Sequence, residues 1–225
     1  MLVEELYKRK SFKSIRHVLK GYVLEDLQCA DVMTALAAKR SIFRYDTGMG
    51  KTLLASAVMK LLKREDRTRK FLFIGKASQV IQTPRKISEC TGLKVLATSA
   101  EADELQANVY SGKFLNYDVL MITHEALNDT ALMLTLHKYR KQFCGVIVDE
   151  AHELSNYVTA DRALMLQAVC RYFEYVYALT ATPMKIDTLE LARLMHIVNP
   201  QLAKSAEGTA SWIEEDLERL KTCWT

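Results

Sequence analysis

The segment from Asp46 to Thr52 constrains the fold of this chain more than any other part of the sequence. It reads Asp-Thr-Gly-Met-Gly-Lys-Thr and lies between an apolar run typical of a strand and the helical pattern Leu53–Val58. Gly48 and Gly50 allow the backbone to turn so that its N–H groups point inward. The N-terminus of the following helix adds positive charge at the same place. The sequence therefore predicts a phosphate-binding loop between a strand and a helix.

The side chains of this loop suit a nucleoside triphosphate bound with magnesium. We expect Lys51 to reach the β- and γ-phosphates and the Thr52 hydroxyl to ligate Mg²⁺. The other residues of the predicted ATP-binding loop are Asp46, Thr47, Gly48, Met49 and Gly50. The general pattern GxxxxGK[ST] has glycine where this chain has Tyr45, whereas the shorter pattern xTGxGKT fits throughout. We therefore predict ATP and Mg²⁺ as cofactors.

Short apolar runs alternate with helical patterns along the rest of the chain. The runs are rich in β-branched and aromatic residues, which suits strands buried on both faces. The predicted strands are Ser41–Tyr45, Phe71–Ile74, Lys94–Ala97, Val119–Thr123, Val146–Val148 and Val176–Leu179. The predicted helices are Lys51–Lys63, Ala77–Glu89, Ala102–Tyr110, His124–Lys141 and Asp161–Phe173. This alternation predicts an α/β fold with a mostly parallel central sheet and helices on both faces. Within the second helix, Pro84 predicts a start at that residue, with Thr83 as its cap.

Length and composition predict one main domain with small appendages. The 225 residues are enough for one full core. We expect residues 1–20 to form a basic helical lead-in, 21–200 an ATP-binding lobe, and 201–225 a C-terminal helical segment. In that last segment, Ser211 and Glu214 have the spacing of a capping box.

Several classes of protein are disfavoured by the same composition. No apolar run approaches the roughly 18 residues that a membrane span needs, and the acidic start is unlike a signal peptide. We expect a cytoplasmic or nuclear protein that is not secreted and has no membrane partner. The five cysteines form no CxxC pair and are expected to be reduced thiols. The net charge of +4 permits nucleic-acid binding without arguing strongly for it.

A second motif, Gly145–His152, is an apolar run that ends in two acids. Asp149 follows directly at the carboxyl end of the predicted strand, where open α/β sheets bind ligands, and we expect it to hold the Mg²⁺ that Thr52 also touches. Glu150 is expected to orient or deprotonate the attacking water. Lys51 and Glu150 are therefore the predicted catalytic residues. The motif is not a HExxH metalloprotease site, because no second histidine follows His152 at the required spacing.

A third motif, Leu179–Pro183, is again a strand followed by a polar turn. The three motifs in this order resemble the first lobe of superfamily 2 helicases and translocases. The finer resemblance is to the SWI/SNF-type group, because Val146–Asn156 is similar to that group's VIVDEAHRLKN and the third motif is similar to its LTGTP. The resemblance spans about residues 20 to 200. It implies a RecA-like lobe in which His152, Thr180 and Thr182 couple the nucleotide state to the neighbouring motifs.

The same resemblance implies further site residues. Gln28 corresponds to the glutamine that reads adenine in this group. Lys76 and Ser78 stand where the group holds phosphates of the tracked strand, and Thr123 and His124 are candidate contacts to a nucleic-acid backbone. The implied activity is ATP hydrolysis coupled to movement on nucleic acid, with duplex DNA favoured.

The resemblance also implies a second RecA-like lobe, in cis or in trans, whose arginine fingers stabilise the transition state. No five-strand pattern of that kind follows Pro183, so we expect this chain alone to bind ATP with slow or no hydrolysis. Three explanations stay open: a fragment of a larger motor, a second lobe on a separate polypeptide, or a complete nucleotide- or DNA-binding regulatory module without motor activity. The chain retains Lys51, Thr52, Asp149 and Glu150, which favours catalysis over a lobe that only imitates a helicase lobe to engage a partner.

Overall fold

A computed structural model describes residues 11–156, 166, 170–181, 194–195 and 197–199. Its strands are β1 (Arg40–Arg44), β2 (Lys70–Gly75), β3 (Val95–Thr98), β4 (Val119–Thr123), β5 (Phe143–Val148) and β6 (Tyr175–Thr180). Throughout the described part of the chain these strands pair in parallel, in the order β1-β6-β5-β2-β4-β3. The predicted α/β class with a parallel sheet is confirmed, and each predicted strand overlaps an observed one.

Seven α-helices are present in the described ranges. They are α1 (Ser11–Arg16), α2 (Asp26–Ala38), α3 (Lys51–Glu65), α4 (Gln82–Thr91), α5 (Ala102–Leu105), α6 (Thr130–Lys138) and α7 (His152–Asn156). A π-helical turn, Gln106–Tyr110, continues α5, and 3₁₀ turns cover Ala77–Gln79, Lys113–Asn116, Glu125–Asn128 and Arg140–Gln142. None of the helices described here is long and apolar enough to cross a membrane.

Two expectations about helix starts were wrong in detail. α4 begins at Gln82, with Ile81 before it, so Pro84 is its third residue and Thr83 is not its cap. Proline is tolerated there because the N–H groups of the first turn have no partner inside the helix. The single helix expected from His124 to Lys141 is interrupted at Asp129, which is extended and whose carboxylate accepts a 2.9 Å bond from the backbone N–H of Leu132. Such a cap starts a new helix, α6, after the interruption.

The sheet is covered by helices on both faces, as the alternation of its side chains requires. Phe71 and Phe73 of β2 belong to the core under α2, α3 and α4. Leu72 and Ile74 of the same strand belong to the opposite core, under α5 and α6. All four side chains are buried, so β2 lies in the middle of the sheet with neither face open to water.

The described end of the lead-in packs on the lobe. Ile15, Val18 and Leu19 are buried in the same core as α2 and α3, and the backbone N–H of Lys20 donates to the carbonyl of Cys90 at 2.8 Å. The remaining predictions for residues 1–10 and 201–225, with the capping box at Ser211, lie outside the described residues. So does most of the helix expected at 161–173.

Gly145 lies in β5 where the neighbouring strand β6 approaches closely. It pairs with Tyr175, and a Cβ atom added to Gly145 would lie 2.9 Å from the Tyr175 Cβ and 3.0 Å from the Tyr175 backbone oxygen. Because the clash is with backbone, the sheet would have to open locally to admit a methyl group.

We expect Gly145→Ala to lower the free energy of unfolding by ~1–3 kcal/mol, measured by urea denaturation. The exposed change Lys141→Ala, just before β5, is the control and should shift stability by no more than about 0.5 kcal/mol. A Gly145→Ala protein as stable as the wild type would contradict the close approach of the two strands.

Candidate functional site

The three sequence motifs meet at one edge of the sheet. β1, β6 and β5 are adjacent and parallel, so their carboxyl ends point the same way. The backbone N–H of Tyr45, just after β1, donates to the Thr180 carbonyl at 2.9 Å. The N–H of Ala151, after β5, donates to the Leu179 carbonyl at 2.9 Å. The strand register thus joins the glycine loop, the acidic motif and the third motif.

The glycine loop has the backbone that its sequence predicts. Gly48 and Gly50 adopt left-handed conformations, with φ of 86° and 97°. α3 begins directly at Lys51, and Gly50 precedes it as the helix cap. The φ of 97° favours glycine at position 50, and a Cβ there would also displace the Gln28 side chain, whose Nε2 would lie 2.6 Å away.

Tyr45 explains how the loop forms without the glycine of the longer pattern. Its backbone continues the β1–β6 ladder, and its side chain is buried. The phenol O–H donates to Asp31 Oδ2 on α2, and burial with this bond raises the pKa of Tyr45. The aromatic ring therefore fastens α2 to the start of the loop. Sequence reasoning missed Asp31, because nothing in the local pattern marks a partner on another helix.

A lysine and two carboxylates form the centre of the site. Lys51 Nζ lies 2.9 Å from Glu150 Oε1, and it also donates to the Tyr45 carbonyl at 3.3 Å. Lys51, Asp149 and Glu150 are 8%, 2% and 9% exposed. Burial, reinforced by the adjacent Glu150, raises the pKa of Asp149 to about 6, while Lys51 acts in the opposite direction. The structure thus brings together the predicted phosphate-binding lysine and both predicted acids.

Glu150 carries two signs of a functional residue. It adopts a φ of 49°, which is unfavourable for a side chain of this kind and is found most often where a site requires it. Its buried Oε2 has no hydrogen-bond partner among the described residues. A buried carboxylate oxygen without a partner is costly unless a ligand, water or ion completes its contacts.

The predicted contact between the second and third motifs is present. His152 Nδ1 lies 3.1 Å from the Thr180 hydroxyl and 3.5 Å from Glu150 Oε2. His152 is thus within reach of the buried acid and of the end of β6. Thr182, the other residue of the predicted coupling set, lies outside the described residues.

Gln28 contacts the glycine loop from α2. Its Nε2 donates to the Met49 carbonyl at 3.0 Å, and its Oε1 accepts from the Glu25 backbone N–H at 3.0 Å. A glutamine amide has two donor hydrogens and two acceptor positions, so one of each remains for a ligand. The structure therefore places Gln28 beside the loop and gives it two bonds within the protein, while its contact with adenine stays a prediction.

The predicted nucleic-acid contacts divide into a surface pair and a buried pair. Ser78 is exposed, and Lys76 is about one third exposed, with its Nζ 2.6 Å from Glu153 Oε1. Thr123 and His124 are buried: the Thr123 hydroxyl accepts from the Ala126 N–H at 3.3 Å, and His124 Nε2 lies 2.8 Å from the Asp149 carbonyl. Neither buried side chain is open to a ligand at the surface in this arrangement.

Two residues near the acids were not found by sequence reasoning. The Gln79 side chain hydrogen-bonds the Asp149 carboxylate, which opposes the rise in its pKa. Glu153 contacts both Lys76 and His124. The resemblance gave no signal for Glu153, because the similar group has arginine at that place in its VIVDEAHRLKN motif.

A magnesium ion fits the donor set at this edge, although no ready-made cage is present. In the residues that the structure describes, no three His, Cys, Asp or Glu side chains cluster as metal ligands. Mg²⁺ in phosphate sites commonly uses only one or two protein ligands, with phosphate and water completing its shell. The hydroxyl of Thr52, beside Lys51 on α3, and the buried Asp149 carboxylate are ligands of the right type.

Comparison with known proteins gives a family match over most of the chain. The profile of the family described as "Type III restriction enzyme, res subunit" matches residues 7–185. The human and bovine proteins named "SWI/SNF-related matrix-associated actin-dependent regulator of chromatin subfamily A containing DEAD/H box 1" are each 26% identical over 167 residues. These alignments cover 72% of this chain and 16% of the relatives, so the chain spans about a sixth of their length.

Two solved structures share the fold. The Sulfolobus solfataricus SWI2/SNF2 ATPase core, solved in complex with dsDNA, aligns with a TM-score of 0.64 at 21% identity, over 82% of this chain and 37% of that one. The UvsW helicase from bacteriophage T4 aligns with a TM-score of 0.58 at 14% identity, over 85% of this chain and 63% of that one.

The burial of Asp149 makes the stability of the metal-free protein depend on pH. Because its pKa is raised from 3.8 to about 6, the folded protein keeps this proton where the unfolded chain has released it. The favourable contribution is therefore complete below pH 3.8 and is lost as the pH rises through about 6. A shift of about two pKa units corresponds to ~3 kcal/mol.

Asp149→Asn removes this charge with little change in shape. In EDTA, we expect the variant to exceed the wild type in free energy of unfolding by ~1–3 kcal/mol near about pH 7, and the gain to vanish near about pH 4. Urea denaturation of the variant and the wild type at each pH measures the difference in free energy of unfolding. An equal gain at both would show that the substitution acts through packing and not through charge.

Proposed function

The chain belongs to the family described as type III restriction enzyme, res subunit, with first-lobe motifs of the SWI/SNF type in superfamily 2, and from this premise we propose that it is the ATP- and Mg²⁺-binding lobe of a nucleic-acid-dependent ATPase. Membership supports an ATP-dependent translocase lobe in general. The proposal adds that these residues bind the nucleotide themselves, and that hydrolysis is coupled to movement on DNA when a second RecA-like lobe is joined.

The observation that carries the proposal is the convergence of Lys51, Asp149 and Glu150 at the mouth of the glycine loop. Phosphoryl transfer needs mainly positioning and charge stabilisation. Without nucleotide, Lys51 is held by Glu150 at 2.9 Å. A triphosphate offers Lys51 a stronger partner, because each charge-assisted bond to phosphate is short and the loop N–H groups converge on the same anion. Glu150 is then released to orient or deprotonate a water.

Magnesium would be held by Thr52 and Asp149, together with oxygens of the nucleotide. When bound, it supplies positive charge that offsets the charge developing on the phosphates. Asp149 suits this role, since its buried carboxylate lacks full compensation from Lys51, as its raised pKa indicates. Gln28 would use its remaining donor and acceptor to read the base.

Nucleic acid, most simply duplex DNA, is the proposed partner that stimulates turnover. The Sulfolobus core that shares this fold was solved with dsDNA. Lys76 and Ser78 lie at the surface near the acidic motif and are the proposed phosphate contacts. A cytoplasmic or nuclear location is proposed with this function.

The alternative is a nucleotide- or DNA-binding regulatory module without motor activity. The chain spans only part of its relatives, and the other face of the nucleotide cleft would come from a second lobe. A defined complex with another protein, without ATP hydrolysis at high protein concentration, would favour this alternative.

Nucleotide binding tests the first half of the proposal. We expect Lys51→Ala to weaken binding of a fluorescent ATP analogue with Mg²⁺ by at least about tenfold, because a charged hydrogen bond is lost. Lys141→Ala, exposed at the opposite edge of the sheet, should bind within about twofold of the wild type. Since Lys51→Ala leaves two buried acids without their lysine, circular dichroism must first establish that it is folded. Unchanged affinity in folded Lys51→Ala would overturn the proposed site.

Turnover tests the second half. In a protein that includes the second lobe, we expect duplex DNA to stimulate ATP hydrolysis and Glu150→Gln to reduce it by about 10²-fold or more while nucleotide still binds. Phosphate release over a DNA titration is the measurement. Equal hydrolysis with and without every nucleic acid tested would exclude the motor function.

A further inference from the structure

A continuous line of contacts leads from the protein surface to the acidic motif. Lys76 Nζ lies 2.6 Å from Glu153 Oε1, and Glu153 Oε2 lies 3.6 Å from His124 Nδ1. On its other side, His124 Nε2 lies 2.8 Å from the backbone carbonyl of Asp149. Lys76, His124 and Asp149 directly follow the adjacent parallel strands β2, β4 and β5, and Glu153 lies on α7. Two residues on the surface are thereby connected to the residue proposed to hold magnesium.

The inner part of this line is rigid. His124 is 2% exposed, and its backbone N–H donates to the Gly75 carbonyl at 2.9 Å. Because a carbonyl can only accept, Nε2 is the protonated nitrogen that bonds Asp149. The other ring nitrogen, Nδ1, faces the Glu153 carboxylate at 3.6 Å. A short hydrogen bond thus ties the buried His124 ring to the backbone of the acidic motif.

The outer part can change partners. The Lys76 and Glu153 side chains are 35% and 32% exposed, so an anion can reach the lysine from solvent. The Glu153 carboxylate is shared between the Lys76 ammonium and the buried His124 ring. If a phosphate took over Lys76, Glu153 would face His124 without its cation. The contact between Glu153 and His124, which leads on to Asp149, would then change.

We propose that Glu153 is a positioning residue that transmits the occupation of Lys76 by a nucleic-acid phosphate, through His124, to the Asp149 end of the nucleotide site. This inference rests on the proposed function, because it takes Lys76 as a phosphate contact and Asp149 as a ligand of the magnesium nucleotide. It deepens that function by naming how one site senses the other. By linkage, the nucleotide must change the affinity for DNA by the same factor as DNA changes the affinity for the nucleotide.

A surface ion pair alone would not couple the DNA contact to the nucleotide site. Arg85 and Glu89 on α4 form a more exposed pair at 2.7 Å, and pairs of this kind contribute little to stability. The Lys76–Glu153 pair differs because the same carboxylate also faces a buried histidine that bonds the acidic motif. Glu89→Gln is therefore a matched control for Glu153→Gln.

The test measures coupling and not affinity alone. The affinity of the full chain for a non-hydrolysable fluorescent ATP analogue with Mg²⁺ is measured with and without a saturating duplex of about 20 base pairs. For the wild type and Glu89→Gln we expect the two affinities to differ by about fivefold or more, the usual range of allosteric coupling. For Glu153→Gln we expect the ratio to fall below about twofold, with affinity in the absence of DNA within about twofold of the wild type.

A double-mutant cycle with Lys76→Ala tests whether the two residues act on one path. The double variant should lose no more coupling than the single variants do. A purely structural role of Glu153 would instead lower the free energy of unfolding and both affinities, and would leave their ratio unchanged.

The outcomes separate the inference from the proposed function. If the wild type binds neither the nucleotide analogue nor DNA, the proposed function fails and the link fails with it. If the wild type binds both without coupling, or if Glu153→Gln keeps the wild-type ratio, the link alone is overturned. The link is supported if the ratio of the nucleotide affinities with and without DNA falls in Glu153→Gln and stays at the wild-type value in Glu89→Gln.

Discussion

The contact between Lys51 and two adjacent buried acids is the interaction on which this edge of the sheet depends. Asp149 and Glu150 follow one another after β5, and both are buried. Two such charges cannot both stay ionised in a poorly solvated place without a cation nearby. Lys51 supplies that cation from the first turn of α3, directly after the glycine loop. The loop, the helix and the acidic motif are therefore joined by charge as well as by the strand register.

The same contact accounts for the arrangement of the site before any ligand is bound. Glu150 holds Lys51, keeps a left-handed backbone and retains one oxygen without a hydrogen-bond partner among the described residues. These features cost free energy, and the surrounding parallel sheet, buried on both faces, makes up for it. A nucleotide with magnesium would relieve the cost, because phosphate oxygens suit Lys51 and a metal ion suits the acids. These unsatisfied groups therefore support the proposed binding of a magnesium nucleotide.

Much of this could be predicted from the sequence, because the informative residues are close together along the chain. The six strands were found from short apolar runs, since strands buried on both faces contain few polar residues. Lys51 was found from the glycine-loop pattern, and Asp149 and Glu150 were found because they follow a strand whose carboxyl end lies at the ligand-binding edge of a parallel sheet. The interruption of the predicted helix at Asp129 was missed. An aspartate that caps a new helix and an aspartate inside a continuing helix have nearly the same local sequence pattern.

The residues that could not be predicted are those whose partners lie far away in sequence. Tyr45 looked like a departure from the phosphate-loop pattern, and its role depends on Asp31 of α2, a helix that the periodicity did not reveal. The sequence analysis assigns nothing to Glu153, because its partners Lys76 and His124 lie at the ends of two other strands. Tertiary contacts of this kind are set by the strand order, which local patterns do not contain.

The charged groups at the two edges of the sheet differ in how completely the protein pairs them, and this difference supports the proposed position of the nucleotide site. At the amino edge, Lys63 pairs with Asp118 at 2.6 Å, and Lys70 donates to the carbonyls of Leu115 and Tyr117 at 2.6 and 2.7 Å. Those cations have protein partners with good geometry and need nothing further. At the carboxyl edge, the Glu150 carboxylate keeps an unsatisfied oxygen. Since buried polar groups in stable folds are almost always satisfied, this oxygen supports the proposal that a ligand binds at the carboxyl edge.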